Sequence, residues 1–266
     1  MVVAGHVGSA WRYRHFILSA IAGELKSRFA RSRVGALWHV LNPLAQAAIF
    51  AFVLSKVLAA KLGGVENEAA YAIYLMAGMA AWSLFAEITN RSLTIFIEYA
   101  GPMKKIAFPR IALPLIVLGG AMLNQALLLA AIAFVFMFFG HFPTAHWAIL
   151  PLGVGVVAML GFGIGLFLGV LNIFARDVGL VFSVFFQMWF WLTPIVYTAD
   201  VLGEGVRSVI ERNPVTGVAR FYQDVLLYQK WPDLQLLAYP AALGATLCVV
   251  AFLLFRRASP EIVDVL

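Results

Sequence analysis

Residues 147–174 read WAILPLGVGVVAMLGFGIGLFLGVLNIF, a stretch without one charged side chain. A helix rising about 1.5 Å per residue crosses the roughly 30 Å hydrocarbon core of a bilayer in about 20 residues, so this segment spans with length to spare. Gly161, Gly165 and Gly169 recur every fourth residue within it, the small-residue spacing by which membrane helices close on one another.

Outward from this segment the pattern repeats. Apolar runs at 35–59, 69–97, 111–139, 180–197 and 234–255 bring the expected spans to six, an all-α polytopic membrane protein with both termini on one side. The whole chain agrees: 63% of its 266 residues are hydrophobic and 12% are charged, against roughly a quarter charged in soluble domains. A soluble protein of this length would be left with a large exposed apolar patch.

The lysines and arginines set the orientation. The termini and the loops after spans two and four carry twelve of them; the opposite side carries six, and Arg91 lies inside span two. The richer side is expected to be cytoplasmic, in keeping with an N-terminus that has no secretory signal, and a basic cytoplasmic face requires no nucleic-acid partner.

Two segments differ from both spans and loops. Within residues 1–34, Trp11, Ile17, Ile21, Leu25 and Phe29 recur near helical spacing among basic residues, which predicts an amphipathic helix in the cytoplasmic interface; a plain N-terminal anchor is the alternative. Residues 198–233 contain Asn213-Pro214 and Trp231-Pro232 between stretches of helical character. They are expected to form short re-entrant or periplasmic helices before the last span.

The chain offers no catalytic constellation. It has no GxxxxGK[ST], no HExxH and no GxSxG; its five histidines lack ligand spacing, and its single cysteine, Cys248, excludes an internal disulfide. No metal, cofactor or catalytic residue is therefore expected in this chain. Glu87 and Arg91, one turn apart inside span two, are expected to form an intramembrane ion pair, with a coupling or gating role as the alternative. The aromatics Trp38, Phe50, Phe182, Phe185, Phe186, Trp189, Phe190 and Tyr197 either anchor the membrane interfaces or form a wall suited to the apolar faces of sugar rings. The loop 98–110 holds Met103, Lys104, Lys105, Phe108, Pro109 and Arg110, basic and apolar groups bracketed by prolines; it is either a positive-inside cluster or a knob that docks into a partner.

Taken in order, several short motifs resemble the permease subunits of ABC-2 type transporters, specifically exporters of O-antigen and capsular polysaccharide. They are Ser32-Arg33-Val34-Gly35-Ala36-Leu37-Trp38 with Asn42-Pro43, Lys104-Lys105 with Phe108-Pro109-Arg110 and Pro114, and Asn172 with Arg176-Asp177. Thr193-Pro194 with Tyr197, Asn213-Pro214 and the tail Glu261-Ile262-Val263-Asp264 complete the set. The resemblance implies one transmembrane domain over 1–266, working as a homodimer with two copies of a separate ATPase subunit that carries the ATP and magnesium. It further implies that 98–110 is the coupling loop, that the pore is walled by spans one and five, and that a lipid-linked glycan crosses the bacterial inner membrane. Exporters of teichoic acid, lipid or drugs share the family, and a proton-coupled transporter is the competing class.

Overall fold

The computed structural model describes residues 13–31, 38, 41–42, 44–46, 48–49, 68–105, 110–138, 140–199, 202–259 and 261–262. The expected first span lies mostly outside them, as do Phe50, Phe108 and Pro109. Every regular element among the described residues is helical: α1 Arg14–Arg31, α2 Glu68–Glu98, α3 Ala100–Lys105, α4 Ala112–Phe138, a 3-10 turn Ala145–Ile149, α5 Leu150–Phe174, α6 Asp177–Trp191, α7 Glu204–Glu211, α8 Pro214–Leu226 and α9 Gln235–Ala258. Residues 38, 41–42, 44–46 and 48–49 are also helical.

Four segments are long and apolar enough to cross a membrane: Ala70–Glu98, Ala112–Phe138, Ala145–Phe174 and Gln235–Ala258. Of the six expected spans, the described residues therefore carry four at full length. The expected span 180–197 is instead α6, which begins at Asp177 and stops at Trp191; its 15 residues cover about 22 Å. Pro194 sets that end, because proline has no N–H to continue the ladder and disfavours helical geometry in the residue before it. The Thr193 hydroxyl turns back and donates to the Trp189 carbonyl at 2.9 Å, closing the last turn.

Helix α5 is the centre of the bundle. Its Gly161, Gly165 and Gly169 lie directly on α2: a Cβ added at Gly165 would sit 2.7 Å from Ser92 Cβ, and one at Gly169 would sit 2.3 Å from the Ser92 carbonyl oxygen. On the other side Gly163 meets α9, where its missing Cβ leaves 2.9 Å to the Cys248 nitrogen, and Gly244 of α9 answers it against Leu160. Small residues thus bring three backbones into contact, the arrangement that van der Waals packing needs where lipid competes for every apolar surface.

Helices α2, α5 and α9 run parallel to one another, with α4 antiparallel to them, giving the bundle two ends. At one end Phe96 of α2 stacks on Phe255 of α9 at 5.6 Å, within a cluster that also holds Met103, Leu113, Val170 and Ile262. At the far end α8 packs against α2, α5 and α9. There Pro240 interrupts the first turns of α9 and, lacking an N–H, leaves the Leu236 carbonyl without its i+4 donor. Gly217 of α8 lies over that oxygen; a Cβ at 217 would be 2.3 Å from it.

Candidate functional site

The segment expected as a loop over 98–110 is largely helical where it is described. The Met103 amide donates to the Tyr99 carbonyl at 2.9 Å, so α3 follows α2 after a single turn residue. Met103 is buried in the cluster of Phe96, Leu113 and Phe255 rather than offered outward. On this six-residue helix the face carrying Met103 is turned to the bundle. Lys104 is exposed. Arg110 Nη1 donates to Ser259 Oγ at 3.3 Å, fastening the start of α4 to the end of α9. Through this cluster α3 packs with residues of α2, α4, α5 and α9 together.

Glu87 and Arg91 are joined, Arg91 Nη1 donating to Glu87 Oε1 at 3.1 Å, but they are two members of a larger cluster. Arg91 Nη2 also donates to Glu24 Oε1 of α1, and Asn124 Nδ2 of α4 donates to Glu87 Oε1. The group is seated in a notch made by Gly119 and Gly120 of α4: a Cβ at Gly119 would strike Ile21 Cδ1, and one at Gly120 would lie 3.1 Å from Arg91 Nη1. On α1, Ile17, Ala20, Ile21 and Glu24 share the partly covered face at helical spacing, whereas Phe16 and Leu18 point outward. Glu24 and Asn124 were not among the residues singled out from the sequence. The signals were present: Glu24 is the one acid in α1, and Asn124-Gln125 is the one amide pair in an apolar span.

The aromatic residues of α6 divide by helical phase. Phe182 and Phe186 are buried against α2, with Phe186 centred 4.9 Å from Trp82 and 5.6 Å from Phe85. Phe190 sits edge-on to Trp82 and Trp189 edge-on to Phe85. Phe182 and Phe186 therefore pack inside their own chain. Phe185, Met188 and Trp191 lie on the opposite, open face with Leu180, Val181 and Val184. Trp38 is exposed, and the Tyr197 hydroxyl donates to the Trp191 carbonyl at 2.8 Å.

At the far end the chain 193–199 is tied down from several sides. Tyr71 donates to the Val196 carbonyl at 2.7 Å, and the Tyr74 hydroxyl lies 3.1 Å from the Pro194 carbonyl and 3.0 Å from that of Tyr197. Asn213 is the hub. Its Oδ1 accepts from Val215 N at 3.0 Å, capping α8, and from Trp189 Nε1 at 2.9 Å. Its Nδ2 donates to Thr193 Oγ1 at 2.9 Å and to the Leu192 carbonyl at 3.2 Å. Deeper in, the fully buried Tyr222 of α8 lies beside Gln125 of α4. Among the described residues no cluster of three His, Cys, Asp or Glu side chains could hold a metal ion.

Comparison with known proteins gives a consistent outcome. The family model for ABC-2 type transporters matches residues 16–227. The O-antigen export system permease protein RfbA of Myxococcus xanthus is 24% identical over 260 residues, covering 97% of this chain and 98% of that one. A permease of the same name from Klebsiella pneumoniae is 30% identical over 209 residues, 77% of each chain, and a second from that organism is 29% identical over 212 residues, again 77% of each.

Proposed function

The chain belongs to the ABC-2 type transporter family, and on that premise we propose that it is the membrane permease of an ATP-driven exporter that moves a lipid-linked polysaccharide of the O-antigen type out of the cytoplasm. As a multi-pass permease component it works with an ATPase subunit. The observation that carries the substrate is the end-to-end match, 97% of this chain, to a protein named as an O-antigen export permease.

In this reading the end of the bundle bearing α1, α3 and the C-terminal tail faces the cytoplasm of the inner membrane, and two permeases assemble with two ATPase subunits. ATP binding displaces the segment from Lys104 to Arg110. The shared cluster of Phe96, Met103, Leu113 and Phe255 transmits that displacement to four helices together. The helical residues 38, 41–42, 44–46 and 48–49 belong to the first span, and α6 with the turn through Pro194 forms the fifth, which makes six. The open face of α6, with Phe185, Met188 and Trp191, meets its counterpart at the pore between the two copies. Helices α7 and α8 dip into the outer leaflet as a gate. In support of that depth, Gly78 of α2, which approaches Ile195 and Gln223, lies about 15 Å along the helix from Glu68.

Deleting the gene in its own host and measuring surface O-antigen by immunoblot tests the proposal. Loss of surface glycan with lipid-linked polymer retained inside the cell, restored by the intact gene, is the expected result. Unchanged surface glycan refutes it, and loss of a different lipid-linked polymer would reassign the cargo.

A further inference from the structure

Helix α9 ends at Ala258, but the chain does not leave the bundle there. The amides of Ser259 and Glu261 turn back to the carbonyls of Phe255 and Ala258 at 2.8 and 2.9 Å. That turn delivers Ile262 into the cluster of Phe96, Met103, Leu113 and Phe255, where its side chain is 0% exposed. The same cluster holds α3. A helix of six residues is far below the roughly 12–15 at which helices begin to stand alone, so α3 depends on what it packs against. Among its described side chains only Met103 is buried, and it is buried here. At the other flank of the segment from Lys104 to Arg110, Arg110 Nη1 donates to Ser259 Oγ at 3.3 Å, although 149 positions separate the two residues. One flank thus shares its cluster with Ile262 and the other is bonded to Ser259.

A short segment that is pushed by a partner moves a bundle only if it is braced against it. Close-packed interiors transmit strain, whereas a void beneath the segment lets side chains shift and absorb the push. We propose that the segment after α9 is that brace: Ile262 fills the cluster into which Met103 is sunk, Ser259 pins Arg110, and displacement of 104–110 is passed to the bundle instead of being lost beneath it. Ile262 and Ser259 are positioning residues, acting through Met103 and Arg110. The inference rests on the reading of 104–110 as the segment that the ATPase subunit displaces, and goes beyond it by assigning the coupling to residues outside that segment. The two contacts differ in kind, one apolar and one polar, so each can be removed without the other.

The test compares Ile262→Ala, Ile262→Val and Ser259→Ala with a control, Leu128→Ala, which opens a void in the other buried cluster, on α4. Surface glycan is measured in cells and normalised to the permease in the membrane; ATP hydrolysis is measured on the purified permease–ATPase complex. Docking is followed by a benzophenone amino acid at the exposed position 104, scored by its light-induced adduct with the ATPase subunit. Ile262→Ala is expected to keep the adduct and the rate of hydrolysis while surface glycan per permease falls at least about fivefold, the low end of coupling between sites. Ile262→Val restores most of it. Ser259→Ala, which leaves the cluster intact, lowers export about two- to tenfold, the worth of one hydrogen bond. Leu128→Ala melts earlier but exports normally. Unchanged export in Ile262→Ala and Ser259→Ala, with the adduct at 104 present, overturns the brace and leaves the coupling reading standing. Loss of adduct or hydrolysis along with export, or an equal loss in Leu128→Ala, assigns the segment to assembly or stability and also overturns it. If the unaltered complex gives no adduct at 104, the coupling reading itself fails and the brace with it.

Discussion

Replacing Gly169 by Ala adds one methyl group to α5, and the structure fixes what it meets. The new Cβ would lie 2.3 Å from the carbonyl oxygen of Ser92, whereas ordinary contact begins near 3.4 Å. A carbonyl on a packed helix cannot rotate away as a flexible side chain can, so α5 and α2 must part by close to 1 Å at this level. That movement pulls on Asn172, whose Nδ2 donates to the Leu93 carbonyl at 3.1 Å and whose Oδ1 accepts from Gly179 N at 3.0 Å. Overpacking of this kind costs about 1–3 kcal/mol, and weakening a buried hydrogen bond adds about 1 kcal/mol, so a loss of about 3 kcal/mol is expected. Gly155, on the same helix, has nothing within 4 Å of its would-be Cβ. There the alanine only removes backbone freedom from the unfolded chain, a gain of up to about 1 kcal/mol. The two substitutions are chemically identical and opposite in predicted sign. Thermal denaturation in mild detergent, followed by the fraction that elutes as monodisperse protein, measures both. Gly169→Ala melting at or above Gly155→Ala would refute the close approach of α5 to α2.

Three further outcomes are expected. Arg91→Gln removes the cation that bridges Glu24 and Glu87 and should cost about 2 kcal/mol, below the roughly 3–5 kcal/mol of a fully buried pair because the three side chains remain 17–25% exposed; Glu24→Gln, which removes one carboxylate, should cost less, and the same melting assay ranks them. Asn213→Ala removes the cap of α8 and its ties to Trp189, Thr193 and Leu192, for roughly 1–2 kcal/mol from the cap alone, and should raise hydrogen exchange over α8 before it affects α5. The hydrogen bond from Arg207 holds the Glu211 carboxyl below its usual range. Its contribution is therefore complete above the ordinary carboxylate pKa and is lost as pH falls through the depressed one, so exchange in α7, taken relative to the intrinsic rate at each pH, should stay flat from neutral pH down to the carboxylate range and rise only below it. A rise already at pH 6 would contradict the assignment.

The sequence by itself determined the class of protein and the position of its long helices. Apolar runs at 69–97, 111–139, 147–174 and 234–255 fall within a few residues of α2, α4, α5 with its preceding 3-10 turn, and α9, because the thickness of a bilayer imposes a minimum apolar length on any helix that crosses it. The glycine spacing in α5 and the charges of Glu87 and Arg91 were equally legible, since each is a local departure from an apolar background. What the sequence left open is the direction in which each residue points. A helix that is apolar all round has no polar face to orient it; thus Phe182 and Phe186, turned onto Trp82 and Phe85, looked no different from Phe185, which is open. Met103 was equally ambiguous, exposed or buried according to how α3 lies on the bundle. Only the tertiary structure brought Glu24 of α1 to Arg91, and only it set Gly217 over the carbonyl that Pro240 releases. These contacts join residues far apart in the chain, and no local rule of spacing encodes which helix faces which.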